Sequence, residues 1–83
     1  MDFLLEEEMI DILTFCLQNP DSSDVEPKKQ RLKEIGRELF DDGGVDAMEN
    51  FFFVVENRIV GEIEKNPKPF RNLWNGITDD WNY

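Results

Sequence analysis

Apolar residues recur three and four positions apart in four stretches of this chain, with polar residues filling the opposite side of each. In the first, residues 3–18, Leu5, Met9, Ile12, Leu13 and Cys16 form one stripe, with Asp2 as N-cap and acids in the first turns, where the helix dipole favours negative charge. Asn19-Pro20-Asp21-Ser22-Ser23 ends this helix, because proline has no N–H to donate and drives its predecessor out of helical dihedrals. A second helix is predicted from about Val25 to Asp42, capped by Asp24, with Pro27 tolerated in its first turn. Its stripe of Leu32, Ile35, Leu39 and Phe40 also contains Gly36. A mid-helix glycine costs roughly 0.5–1 kcal/mol relative to alanine unless close packing compensates, so a close helix crossing is expected there.

Gly43 fits the left-handed position that closes the second helix, and Gly44 lets the chain turn before a third helix from about Val45 to Glu64. The two should pack as a hairpin. The third stripe is broad: Met48, Phe52, Val55, Ile59 and Ile63, widened by Phe51 and Val54. The run Phe51-Phe52-Phe53-Val54-Val55 also fits a buried strand paired with Arg58 to Ile63. Against the strand, the helical phase continues on both sides and only Asn57 offers a turn residue between the two segments. Asn66-Pro67-Lys68-Pro69 ends the third helix, and Pro69 opens a short fourth with Phe70, Leu73, Trp74, Ile77 and Trp81 on one face. Residues 1–83 thus form a single all-α domain, a small bundle of three main helices plus a short C-terminal helix. Its expected core is Met9, Leu13, Leu39, Phe52, Val55, Ile59 and Trp74.

Charge narrows the partners. Nineteen acids against nine bases give a net charge of -10, which repels phosphate backbones and anionic membranes and favours a basic protein partner. The bases cluster in Lys28, Lys29, Arg31, Lys33 and Arg37. A nucleic-acid patch there is opposed by the flanking acids, and neutralisation of acidic neighbours within the fold is the simpler reading. A single cysteine forms no internal disulfide, the N-terminus lacks a basic signal region, and no apolar run approaches the ~20 residues of a membrane span, so the expectation is a cytoplasmic protein.

The absence of histidine removes the usual general base near neutral pH and the commonest zinc ligand. Cys16 sits on an apolar stripe and reads as a core residue rather than a reactive thiol. Glu6-Glu7-Glu8, Asp41-Asp42 and Asp79-Asp80 are candidate acid–base pairs, but adjacent helical side chains point apart. Counted as a calcium loop from Asp41 or Asp42, the twelfth position is Phe52 or Phe53, so the bidentate glutamate is missing. Gly43-Gly44 follows no strand and precedes no Gly-Lys, which excludes a phosphate loop. No enzyme, metal site or cofactor is expected.

Ile35-Gly36-Arg37-Glu38-Leu39, Gly43-Gly44, Met48, Leu73-Trp74-Asn75-Gly76-Ile77 and Trp81 together resemble a family of small uncharacterised bacterial helical proteins. Those proteins carry an Ile-Gly-x-x-Leu, Gly-Gly, Met pattern and a terminal Trp-x-Gly-Ile-Gly-x-Trp. This chain has Thr78 at the second glycine and one more residue before the last tryptophan. The resemblance covers roughly residues 32–82, implies a small helical cytoplasmic protein, and brings no activity with it.

The function expected from these residues is a non-enzymatic binding or regulatory protein that meets its partner through an acidic surface. The alternative is a dedicated inhibitor of a basic target, either a toxin-neutralising immunity protein or a nucleic-acid mimic. Glu6, Glu7, Asp41, Asp42, Asp79, Asp80 and Trp81 are the candidate interface. Trp81, two residues from the chain end, is expected to lie shallower than Trp74 and to anchor a partner or a second subunit, or else to pin the tail onto the first helix.

Overall fold

The computed structural model describes residues 3–83, so the proposed N-cap Asp2 lies outside the described residues. Helix α1 spans Phe3–Gln18 and buries Met9, Ile12, Leu13 and Cys16 of the expected stripe; Leu5 is only partly buried and Ile10, not expected on that face, is buried as well. Its last carbonyls, which no later helical N–H can reach, find other donors. The Asn19 backbone N–H and side-chain amide both donate to the Phe15 carbonyl, at 2.8 and 3.1 Å, and Lys65 Nζ lies 3.3 Å from the Leu17 carbonyl. That lysine ties the end of α1 to the segment after the next helix.

Helix α2 spans Val25–Ile63. Its 39 residues would reach about 58 Å if straight, yet the longest dimension of the molecule is 30 Å. The chain folds back at Gly44, whose φ of 72° and ψ of -162° lie in a region essentially closed to residues with a β-carbon. This corrects the expected turn by one position: Gly44 rather than Gly43 takes the positive φ. Gly43 is small for another reason, since a β-carbon there would stand 2.8 Å from that of Ala47. The limbs 25–43 and 45–63 are thus the second and third helices read from the sequence. Asp24, expected to cap the first limb, makes no capping hydrogen bond; its own N–H donates instead to Ser22 Oγ at 3.2 Å.

The phenylalanine run is helical. Phe51, Phe52 and Val55 are buried while Phe53 is 59% exposed, which is a helical stripe and not the alternation of a strand. Glu64 closes α2 in the left-handed region and donates its N–H to the Val60 carbonyl at 3.1 Å.

The fourth element is a 3₁₀ helix, Lys68–Trp74, rather than an α-helix continuing to Trp81. Pro67 and Pro69 supply no backbone donors where the first α-turn would form, and Gly76, at φ 93°, reverses the chain directly after Trp74. A single bridge between Asn75 and Thr78 and a hydrogen bond from Trp81 N–H to the Thr78 carbonyl shape the final turn.

That turn brings Trp81 into the core beside Trp74, with ring centroids 5.2 Å apart, and Phe52 meets Trp74 edge-on at 5.4 Å. Neither indole is accessible to solvent, so the expectation that Trp81 lies shallower is corrected. Burial of each indole N–H requires an acceptor, and both have one: Trp74 Nε1 donates to the Leu32 carbonyl at 2.8 Å and Trp81 Nε1 to the Arg71 carbonyl at 2.7 Å. All seven expected core residues are buried. Among the described residues α1 and the 3₁₀ helix each pack on α2 and not on one another, which leaves α2 as the centre of the fold.

Candidate functional site

The first two turns of α1 cross α2 near the Gly44 bend, and a groove of about 670 Å³ remains between them. Leu4, Leu5 and Ala47 give it accessible apolar surface, and the buried Leu39 and Phe51 also line it. Glu8, Glu38 and Asp42 bring carboxylates to the same groove, with Arg31 the only base among its lining residues. The spacing explains how the limb 25–43 supplies this set: Arg31, Glu38 and Asp42 lie seven and four residues apart, with buried Leu39 next to Glu38 in sequence. Ala47 and Phe51, four apart, contribute from the other limb.

Arg31 is committed to the fold. Its Nε and Nη2 reach the two oxygens of Glu8 at 2.6 and 2.9 Å, a bidentate fork, and its Nη1 stands 3.5 Å from Glu34 and 3.8 Å from Glu38. Hydrogen bonding to Arg31 holds the Glu8 carboxyl below the usual carboxylate range, and the same bond raises Arg31. Asp42 is exposed and forms no ion pair among the described residues, so the groove keeps an excess of negative charge.

The seven residues anticipated as an interface do not form one cluster. Glu6 and Glu7 converge on Arg58, at 3.5 and 2.8 Å, on the limb 45–63. Asp42 lines the groove and Asp41 is exposed next to it in sequence. Asp79 and Asp80 are exposed in the C-terminal turn. Trp81 is fully buried and presents no surface aromatic. Of the basic stretch, Lys29 pairs with Glu26, Lys28 stands 4.8 Å over the Phe15 ring, and Lys33 and Arg37 are exposed.

Sequence reasoning missed the role of Arg71, which is 8% exposed. Its guanidinium stands over Phe52, Tyr83 and Trp81, at 4.7, 5.1 and 5.6 Å from the ring centres, and its Nη1 donates to Glu49 at 3.0 Å. Glu56 is 3.5 Å from Arg71 Nε, without the geometry of a hydrogen bond on either side. Tyr83 donates its hydroxyl to Glu49 at 2.6 Å. Burial pushes the Glu49 carboxyl up, but the Tyr83 and Arg71 bonds outweigh it and leave Glu49 below the usual range. This cluster clamps the C-terminal segment to α2, with Arg71 buried and with Glu49 and Tyr83 at its solvent edge. The only signal for it in sequence was a single base, Arg71, among the aromatic residues between Phe70 and Tyr83.

Cys16 is buried, and burial raises its thiol, in line with a core residue. Among the described residues no group of three or more His, Cys, Asp or Glu side chains is placed to hold a metal ion, and no helix is long and apolar enough to cross a membrane. No protein-family model, no curated protein and no solved structure matches the chain.

Proposed function

We propose that this chain is a non-enzymatic binding or regulatory protein that engages a basic protein partner through its acidic surface, within the family of small bacterial proteins its motifs resemble. The observation that carries this reading is a division among the acids. Glu6, Glu7 and Glu8 are taken up by Arg58 and Arg31, whereas Asp41, Asp42, Asp79 and Asp80 are exposed and pair with no base among the described residues. Unpaired surface carboxylates in a chain of net charge -10 set up a field that draws and orients cationic partners.

The test is retention of basic polypeptides from an extract on the immobilised protein, compared with a variant carrying Asp41→Asn, Asp42→Asn, Asp79→Asn and Asp80→Asn. The native protein should retain a defined set at low salt and the variant should retain much less. Equal retention by the two would overturn the reading. A retained enzyme whose activity falls on binding, with a steep loss of affinity as salt rises, would move the reading to a dedicated inhibitor.

A further inference from the structure

We propose that the groove beside Gly44 is the docking site for a basic amphipathic helix of a partner protein, whose apolar side chains rest on Leu4, Leu5 and Ala47 and whose Lys or Arg heads meet Asp42 and Glu38. This rests on the reading above and confines it to one surface.

The occupant is fixed by two complementarities. The groove exposes apolar surface at Leu4, Leu5 and Ala47 while its acids outnumber the one base, and that base already grips Glu8. A ligand that fits must therefore pair aliphatic side chains with cationic ones. The backbone argument fixes its shape: the described walls are helical and contain no strand, so the groove offers no strand edge. A bound segment must satisfy its own backbone, as a helix does, and helix-in-groove docking with anchors three or four residues apart is the matching mode. A second copy of α1 is a poor occupant despite its exposed Phe3 and Leu4, because Glu6, Glu7, Glu8 and Asp11 with no base would face carboxylates.

The probe is a labelled amphipathic peptide of leucine and lysine with leucines at helical spacing, alongside a twin with glutamate at every lysine. Fluorescence anisotropy should show saturable binding of the lysine peptide and none of the twin. Glu38→Gln with Asp42→Asn should weaken binding about five- to tenfold, the order expected for two surface charge contacts. Asn50→Trp, which fills the groove from an exposed position without changing charge, should weaken it comparably. Asp21→Asn with Glu64→Gln removes the same charge from exposed positions outside the groove and should leave it unchanged. Amide spectra of the native protein with peptide should shift at Leu39, Asp42, Ala47 and Phe51. Equal weakening by the two neutralised pairs, or shifts spread over the whole surface, would overturn the groove and leave the acidic-surface reading standing. Absence of binding would also overturn the groove, while the fate of the broader reading rests on the extract experiment.

Discussion

The indole of Trp74 occupies the space that a β-carbon on Gly36 would fill: Cδ1 and Nε1 lie 2.7 Å from that position. The glycine thereby exposes the Leu32 carbonyl, one helical turn earlier, to the indole N–H. The close approach read from the sequence exists, but an aromatic ring from the 3₁₀ helix makes it rather than a crossing helix. Gly36→Ala gains roughly 0.5–1 kcal/mol of helix propensity and meets overpacking of about 1–3 kcal/mol, with Ile77 Cδ1 also only 2.8 Å away. The variant should be less stable than the native protein by urea denaturation. Equal or greater stability would show that the indole moves aside freely.

Trp74→Ala and Trp81→Ala should be similarly damaging. Each removes a fully buried indole, at about 3–5 kcal/mol, from a domain of a size that commonly has only about 4–12 kcal/mol in total. Thermal melts of the two variants provide the check, and a Trp81→Ala protein that melts close to the native temperature would contradict the packing described.

Stability should fall at both ends of the pH scale. Glu8 and Glu49 have folded values below the ordinary 4.5, so their contribution is complete above that value and is lost as pH falls through the lower folded ones. Tyr83 is raised above its ordinary 10.0, first by its hydrogen bond to Glu49, so its contribution is present below pH 10.0 and is lost as pH rises through the folded value. Glu8→Gln and Glu49→Gln should flatten the acid limb, and Tyr83→Phe the alkaline one, in denaturation midpoints measured across pH.

Cys16, 2% exposed, should react with a thiol reagent only as fast as the fold opens. Labelling should be slow in native buffer and accelerate with denaturant. Rapid native labelling would mean that α1 is not seated as described.

What was legible in the sequence was what periodicity governs. The stripes of α1 and both limbs of α2 are long enough that one pattern dominates, and this kept Phe51 to Val55 helical against their strand propensity. Choices between neighbours were not legible. Gly43 and Gly44 are chemically alike, and only the packing of Ala47 against one of them assigns the turn to the other. The tail failed differently: Trp74, Ile77 and Trp81 have α-helical spacing, yet the same inward aim results from a 3₁₀ helix followed by a reversal at Gly76. The groove was half visible, through Asp42. Glu8 and Phe51 join it only by long-range packing, which no local pattern encodes.

One glycine torsion separates this fold from a different object. Both flanks of Gly44 are helical, and a β-carbon there meets nothing within 4 Å, so Gly44→Ala introduces no clash; it only penalises the reversed torsion, by about 1–3 kcal/mol. The cheapest escape for the variant is to let the two limbs run on as one rod. Each rod would then carry its limb 45–63 and both tryptophans away from its own α1, and the same contacts would be restored only by trading those parts with a second molecule. Gly44→Ala should therefore populate a domain-swapped dimer at high protein concentration, seen by light scattering after gel filtration, with the helical content and the tryptophan environment unchanged. In that sense the fold stores its own assembly interface inside itself, held closed by the conformational freedom of a single residue without a side chain.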